Sequence, residues 1–265
     1  MRSARKCSRP LLELKQMSII IKSPDEIKIM REAGRIVAIV HETLKKEVKP
    51  GITTGELDKI AVELFKKYGA TASSKGYHGF PASICTSVNE EIVHGIPGKR
   101  LLKEGDLVAI DIVSAYNGFQ GDSAITVEVG KVSKEARRLV ETTKGALEAG
   151  IEAARAGAHL GNVSAAIQEH VESRGFSVVR EYVGHGIGRD MHEEPQIPNY
   201  GTPGQGPVLK KGMTIALEPM VNAGGWRTKV LEDNWTVVTA DGSLSAHFEH
   251  TIAITDGKAE ILTQL

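Results

Sequence analysis

The sequence predicts an α/β fold in which two similar halves, each with two helices followed by strands, form one domain. Three observations support this fold class: two helix capping boxes, a hairpin signal at Asn117-Gly118, and a long-period repeat of glycine and strand patterns. Together they place helices and strands in the same order in both halves.

The first half opens with two predicted helices. Ser23-Pro24-Asp25-Glu26 is a capping box with proline at the first helical position, and helical apolar spacing continues until Pro50-Gly51. A second capping-box pattern at Thr53–Glu56 starts another helix, which stops at Gly69. Residues 70–98 are rich in glycine, serine and proline and are predicted to be irregular.

The hairpin between Asp111 and Asp122 is the clearest strand signal. Two apolar runs meet at Asn117-Gly118, a dipeptide that tolerates the positive φ needed at both central residues of a type I′ turn. With this turn, Asp111 pairs with Ala124, and the two aspartates become diagonal neighbours on one face, roughly 7–8 Å apart. Such carboxylates repel unless a cation lies between them, so a metal site is predicted; a solvated outer face is the alternative.

A repeat relates two halves of the chain, at about residues 24–130 and 131–265. Three glycines recur at an offset of 106 residues, and with one residue added the strand pattern 102–111 aligns with 209–218. The period is too long for a solenoid, so the copies are predicted to form a single pseudo-symmetric domain over residues 17–265.

The repeat extends the metal prediction to the second half. It aligns Glu218 with Asp111, so two acids would end equivalent strands near the pseudo-twofold axis. Helices are predicted again at about 134–155 and 162–174, and strands from about 213 to 262.

Composition limits the classes of function. The 265 residues are 41% apolar and 25% charged with a formal net charge of zero, so neither a nucleic-acid nor a membrane-surface partner is expected. No apolar run reaches the roughly 18 residues that suggest a membrane span. Two cysteines, Cys7 and Cys85, are too few for a disulfide framework, which favours a reducing compartment and predicts a cytoplasmic location.

Residues 1–16 differ from the rest of the chain and form a basic N-terminal extension. This segment contains five basic residues and one acid, Glu13, and no apolar stretch in it has the length of a signal-peptide h-region. The extension is disordered, a short targeting leader, or sequence upstream of a start at Met17. We favour the last interpretation, because regular structure is predicted to begin just after Met17.

Four further segments place polar residues where apolar ones would be expected. Gly184-His185-Gly186-Ile187-Gly188 flanks a histidine with glycines and lacks the spacing of a phosphate-binding loop. The others are His192-Glu193-Glu194-Pro195, Ala216-Leu217-Glu218-Pro219, and Glu249 directly before an apolar strand. These segments hold the side chains that could carry chemistry.

Together with His94-Gly95-Ile96-Pro97 and the Asp111/Asp122 hairpin, these segments resemble type I methionine aminopeptidases. The likeness covers residues 17–265, with the motifs in family order and spacing. It implies the pita-bread fold, in which two pseudo-symmetric halves surround a central curved antiparallel sheet. It also implies an enzyme, a metal-dependent exopeptidase that removes the N-terminal methionine of nascent chains with a small second residue.

The resemblance implies five metal ligands and two divalent ions per chain. Asp122 and Glu249 would bridge the ions, which are typically roughly 3.5–4 Å apart in such sites. Carboxylates with one imidazole suit Co, Mn, Fe or Zn and do not select among them. The implied ligands are Asp111, Asp122, His185, Glu218 and Glu249.

Three catalytic residues are implied in the same way. A water held by the ions would attack the first peptide bond, and Glu218 would pass the proton of that water to the leaving amine. His94 and His192 would bind the scissile amide without binding metal and would stabilise the tetrahedral intermediate. A lone histidine is more often a surface or core residue, so only the family spacing supports this reading.

A methionine pocket is also implied, with aromatic walls and a thiol that suit a flexible thioether. Phe80 lacks a hydroxyl that the family often has there, and Met191 replaces a common aromatic residue. Cys85 could equally be a buried packing residue. The implied pocket residues are Tyr77, Phe80, Cys85, Met191 and Trp235.

Three other readings compete with this one. A prolidase-like aminopeptidase carries a large extra N-terminal domain, and a type II methionine aminopeptidase carries an insertion between His185 and Glu249; the sequence shows neither. A non-enzymatic binding protein on the same fold would usually lose ligands, and all five are present. Nascent polypeptide N-termini are the expected partners of a monomer, with the ribosome as a further candidate.

Overall fold

The computed structural model describes residues 18–265, which form four α-helices and fifteen strands. The predictions for the basic segment 1–16 and for a start at Met17 lie outside the described residues. Within residues 18–265, no helix is both long and apolar enough to cross a membrane.

Two capped helices begin the described chain, as the sequence predicts. Helix α1 (Pro24–Glu47) starts at Ser23, which forms a reciprocal capping box with the residue three positions later. Helix α2 (Thr54–Tyr68) starts in the same way and ends at Gly69, which adopts the left-handed conformation with φ of 67°. The local signals therefore set both ends of these helices.

The predicted hairpin is present and has the predicted register. Asn117 and Gly118 have φ of 47° and 78°, the positive values that a type I′ turn needs, and Asp111 pairs with Ala124. The strands of the first half are β1 (Thr71–Ala72), β2 (Cys85–Val88), β3 (Glu91–Val93), β4 (Leu107–Tyr116) and β5 (Phe119–Glu128).

Residues 70–98 are not irregular throughout, and that prediction was wrong for β1, β2 and β3. Strands β1 and β2 both pair antiparallel with β4. Thr86 and Ser87 of β2 are buried, so polar side chains occupy positions where an apolar pattern would reveal a strand. The pairing of β2 with β4 sets Cys85 beside Asp111.

The second half contains α3 (Lys134–Ala153) and α4 (Leu160–Glu172), whose ends lie within two residues of the prediction. Three strands between residues 177 and 197 were not predicted, because two of them span only two or three residues. The strands are β6 (Ser177–Val178), β7 (Gly184–Gly186), β8 (Glu193–Ile197), β9 (Thr214–Leu217), β10 (Met220–Asn222), β11 (Thr228–Val230), β12 (Val237–Thr239), β13 (Ser245–His247), β14 (Glu249–Ala253) and β15 (Glu260–Ile261).

A nine-stranded antiparallel sheet combines strands from before and after residue 130. Its strand order is β1-β4-β5-β14-β9-β7-β8, with β2 also paired to β4 and β15 to β14. The strands on either side of residue 130 meet where β5 pairs with β14. Two three-stranded sheets, β13-β10-β6 and β11-β12-β3, lie beside it. A division of the chain near residue 130 stays a prediction.

The helices determine which face of the sheet carries the polar side chains. Val108, Ile110 and Ile112 of β4 are fully buried in one core cluster with α1 and α2. Because side chains alternate along a strand, Asp111 points to the opposite face, away from the helices. A second cluster packs α3 and α4 against β9 and β14.

Candidate metal centre and substrate cavity

Five neighbouring strands each contribute one predicted ligand. Asp111 lies on β4, Asp122 on β5, Glu249 at the start of β14, Glu218 directly after β9, and His185 on β7. These strands are consecutive in the sheet order, so four carboxylates and one imidazole stand side by side across the junction of the two halves.

Three of these side chains converge closely. Ligand atoms of Asp122, His185 and Glu249 all lie within 4.8 Å of one another. His185 Nε2 is 3.4 Å from Glu218 Oε1 and 3.8 Å from Asp122 Oδ2. Asp111 lines the same cavity. The group can therefore hold a metal ion.

The His185 ring is oriented for ligation. Its Nδ1 lies 2.9 Å from the carbonyl oxygen of Gly186, which accepts a hydrogen bond from the Nδ1–H tautomer. In that tautomer Nε2 carries no proton and faces the carboxylates. Burial lowers the pKa of His185 to about 4, which keeps the ring neutral at physiological pH.

Two unpaired carboxylate oxygens support a cation at this position. Asp122 Oδ1 and Glu249 Oε1 are buried without a hydrogen-bond partner among residues 18–265. An unpaired buried charge is costly, and a divalent ion would satisfy both oxygens. Carboxylates with one imidazole are the donors that first-row divalent ions accept, so the residues present fit a metal centre.

The carboxyl groups repel one another without such an ion. Burial raises the pKa of Asp111 to about 7. Burial, with added repulsion from Asp111, raises the pKa of Asp122 well above its usual value. Burial and then the charge of Asp122 raise the pKa values of Glu218 and Glu249 in the same way. Bound cations would reverse these shifts by favouring the ionised forms.

The two predicted non-ligand histidines flank this cluster. His94 has φ of 60°, an unusual left-handed value for a residue other than glycine. Its ring packs edge-on against Tyr182 and Trp235, with centroid distances of 5.9 and 6.3 Å. Burial, with a smaller effect of His192, lowers the pKa of His94 to about 4, so this imidazole is neutral at pH 7.

His192 is held by contacts on two sides. Its Nδ1 lies 2.8 Å from the Tyr77 hydroxyl, and its ring centroid lies 4.4 Å from that of His185. Burial is the main cause of its lowered pKa, followed by repulsion from His78. When Tyr77 donates to Nδ1, the ring proton stands on Nε2, where it can be donated to a ligand.

All twelve predicted site residues line one cavity of about 160 Å³. Phe80 and Trp235 form an edge-to-face pair, with ring centroids 5.1 Å apart. Burial and the nearby carboxylates, Asp111 first, raise the pKa of the Cys85 thiol, so this group stays protonated. Glu193 and Glu194 are not among the residues that line this cavity.

The cavity also includes two residues that the sequence did not reveal, Ser74 and Val113. Val113 lies two residues after Asp111 on β4, so the alternation of side chains could have identified it. Ser74 lies in a loop and follows no periodic pattern. Tyr182, which contacts the His94 ring, was missed for the same reason.

Known proteins resemble this chain over most of its length. The model of metallopeptidase family M24 matches residues 28–256. Methionine aminopeptidase 1 of Bacillus subtilis (strain 168) is 60% identical over 247 residues, which are 93% of this chain and 100% of that protein. The chain belongs to the methionine aminopeptidases of metallopeptidase family M24.

Solved structures agree with this membership. A methionine aminopeptidase from Thermotoga maritima has a TM-score of 0.93 and 51% identity, and the match covers 94% of this chain and 100% of that one. An Xaa-Pro dipeptidase from Bacillus anthracis shares the fold alone, with a TM-score of 0.75, 23% identity, and coverage of 93% and 62%. The predicted pita-bread fold is confirmed, and the chain is a metallopeptidase.

Proposed function

We propose that this enzyme hydrolyses the first peptide bond of polypeptides that begin with methionine and have a small second residue. One cavity joins the Asp122–His185–Glu249 cluster to an aromatic pocket, and this observation carries the proposal. Relatives named methionine aminopeptidase are 48–60% identical over at least 92% of the chain, which supports the same activity.

The five acidic and imidazole side chains would hold two divalent ions of Co, Mn, Fe or Zn. Asp122 and Glu249 would help to hold both ions, because each has a buried oxygen without a partner within residues 18–265 and they lie on adjacent strands. When bound, the ions would lower the pKa of water toward about 7 and polarise the scissile carbonyl.

Glu218 is suited to move a proton. Its carboxyl group lines the cavity and lies 3.4 Å from His185 Nε2, where it can accept a proton and donate it again. We assign to it the transfer of a proton from the attacking water to the amine that leaves.

His94 and His192 would bind the scissile amide. Both imidazoles have lowered pKa values, so each is neutral and keeps one N–H donor at pH 7. Such donors stabilise the oxygen charge that develops in the transition state, and loss of one typically lowers the rate on the order of 100-fold or more. Tyr77 would select the useful tautomer of His192.

The pocket would select methionine by shape and polarity. Phe80, Cys85 and Trp235 pack together as an apolar cluster at one side of the cavity, and Met191 also lines the cavity. An unbranched thioether fits an irregular apolar space and makes favourable contacts with aromatic rings. We propose that the enzyme acts as a cytoplasmic monomer on nascent chains, with the ribosome as a partner; the low cysteine count supports this compartment.

A peptide assay tests the proposal. Met-Ala-Ser should release free methionine with added Co, Mn, Fe or Zn, and chelation should abolish this release. Failure to release methionine with any of these metals would contradict the proposal. Release of the first residue from X-Pro peptides, with Met-Ala-Ser left intact, would instead support a prolidase-like activity.

A further inference from the structure

A buried ion pair outside the cavity holds the segment that carries His192. Lys22 Nζ contacts Glu193 Oε2, and the two side chains are only 3% and 6% exposed. Glu193 directly follows His192 in the chain. Neither Lys22 nor Glu193 lines the cavity, so the ion pair acts on the loop and not on the metal centre directly.

The Glu193 carboxylate closes this loop on itself. Its Oε1 accepts hydrogen bonds from the backbone N–H of Arg189 at 2.9 Å and of Asp190 at 3.4 Å. The carboxylate therefore ties the beginning of the loop to its end, with Met191 and His192 between them. The other carboxylate oxygen of Glu193, Oε2, contacts Lys22 Nζ.

Lys22 is itself anchored to the second half of the molecule. Its backbone N–H donates a hydrogen bond to the carbonyl oxygen of Gly212 at 2.8 Å. Its side-chain ammonium donates a hydrogen bond to the carbonyl oxygen of Ile20 at 3.3 Å. A Cβ on Gly212 would lie 2.7 Å from Ile21 Cγ2 and 2.8 Å from the Lys22 carbonyl oxygen, so this close approach needs glycine. The segment before α1 thus forms a fixed support.

Gly188 provides the space for the ion pair. A Cβ at this position would collide with Glu193 Oε1 and with Lys22 Cε. Gly188 is the last glycine of the segment Gly184–Gly188, and metal binding by His185 does not explain it. The ion pair does, because only a residue without a side chain lets both partners approach the backbone.

We propose that Lys22 is a positioning residue, which fixes the loop 188–193 through Glu193 and thereby places His192 at the scissile amide. Tyr77 and His185 contact the His192 ring, whereas the ion pair anchors the backbone beside it. A displacement of about 1 Å in a catalytic group can lower a rate on the order of 100-fold. The inference rests on the proposed role of His192.

Lys22→Met tests the inference with a substitution of similar size. We expect kcat for Met-Ala-Ser to fall about 10- to 100-fold with a smaller change in KM, as expected for lost positioning. Divalent-ion affinity, measured by calorimetry, should stay within about twofold of the wild type. The matched control is Lys211→Met, which removes an ion pair with Asp256 whose side chains are 66% and 75% exposed.

A second variant separates positioning from stability. Lys22→Met alone leaves the Glu193 charge buried without a partner, whereas Lys22→Met/Glu193→Gln removes both charges. We expect the double variant to unfold at a higher temperature than Lys22→Met and still to have low kcat, because the tie to Lys22 is gone. Recovery of kcat together with stability would overturn the inference.

Two further measurements decide whether Lys22 acts through the loop. Hydrogen exchange at the amides of Arg189 and Asp190 should accelerate in Lys22→Met but not in Lys211→Met. In a His192→Ala background, Lys22→Met should lower kcat by less than about twofold, because the group it positions is absent. Unchanged amide exchange, or the same fold-loss in both backgrounds, would overturn the inference. Wild-type activity of His192→Ala would contradict the proposed role of His192, while amide exchange still tests the support of the loop.

Discussion

The Thr251 hydroxyl bonds both backbone groups of Asp122: it donates to the carbonyl oxygen at 2.8 Å and accepts from the N–H at 3.0 Å. Thr251 lies on β14 and Asp122 on β5, so a side chain replaces a pair of backbone ladder bonds where the two halves meet. Thr126 bonds the backbone of His247 in the same way, at 2.8 and 2.9 Å. The Thr251 hydroxyl therefore links the strands that carry Asp122 and Glu249, and the Thr126 hydroxyl links β5 to β13.

Thr251→Val should weaken both the fold and the metal centre. The substitution leaves two buried backbone groups of Asp122 without partners, and each should lower the free energy of unfolding by about 1–3 kcal/mol. Divalent-ion affinity should fall roughly 10- to 100-fold, as for other groups that orient metal ligands. Urea unfolding of the metal-free protein and titration calorimetry measure these two quantities.

Thr251→Ser is the matched control for that variant, because it keeps the hydroxyl and loses only a methyl group. Its ion affinity should stay close to that of the wild type. Wild-type ion affinity in Thr251→Val would show that Asp122 keeps its position without the hydroxyl.

Asp122→Ala should weaken the binding of both proposed ions and preserve the fold. Asp122 repels Asp111, Glu218 and Glu249 in the metal-free protein, so its removal lowers the electrostatic repulsion among the buried carboxyl groups. The same substitution deletes a proposed metal ligand. Metal content should drop sharply and turnover should collapse, with an unchanged circular dichroism spectrum. Asp256→Ala, which removes an exposed acid, is the control. Full activity of Asp122→Ala in metal-defined buffer would contradict the ligand assignment.

The carboxyl groups of the cluster should destabilise the metal-free protein as pH rises from about 4 toward 7. Burial raises the folded-state pKa of Asp111 to about 7 and those of Asp122, Glu218 and Glu249 well above their usual values. Such groups bind more protons in the folded than in the unfolded state, so their contribution is lost as pH rises through the folded pKa. For Asp111 this loss begins near the unfolded pKa of about 4 and is nearly complete at about pH 7. After chelation, the melting temperature of Asp122→Asn should therefore rise relative to that of the wild type over this range.

Other titrating groups change stability in the same pH range, so the comparison with Asp122→Asn isolates the contribution of the carboxyl groups. Burial lowers the pKa of His41 to about 4 and that of His247 to about 3, so their effect raises stability only up to the unfolded value of about 6.5. The raised pKa of Cys85 adds a further loss only above about pH 8.5. Excess divalent ion should instead favour the wild type, because Asp122→Asn lacks a proposed ligand. A melting-temperature difference between the two chelated proteins that stays constant from about pH 4 to 7 would contradict the carboxylate explanation.

Phe80→Leu should raise KM for Met-Ala-Ser several-fold and change kcat less. Phe80 packs edge-on against Trp235, and the pair forms an aromatic wall of the cavity. Loss of the ring removes contacts that are equally strong in the bound substrate and the transition state, which raises KM. Phe65→Leu is the control, because Phe65 is buried in the core around α1 and α2, away from the cavity. An equal change of KM in both variants would show a general loss of packing.

Local signals predicted the parts of the fold that depend on neighbouring residues. The capping boxes at Ser23 and Thr53 and the Asn117-Gly118 turn act over a few residues, and their elements begin, end and pair as predicted. Strand β2 escaped prediction because its buried polar residues are stabilised by contacts with β4, which is distant in the chain.

The sequence by itself determined the register of the Asp111/Asp122 hairpin, the family and its fold. A turn depends on adjacent residues, and the spacing of motifs can be read directly from the sequence. Tertiary structure alone decided which side chains hold the site residues and their neighbours in place. Lys22 contacts Glu193 across 171 residues, and Thr251 contacts Asp122 across 129. No local pattern encodes such pairs, since a buried charge or hydroxyl is stable only where packing brings its partner within hydrogen-bond distance.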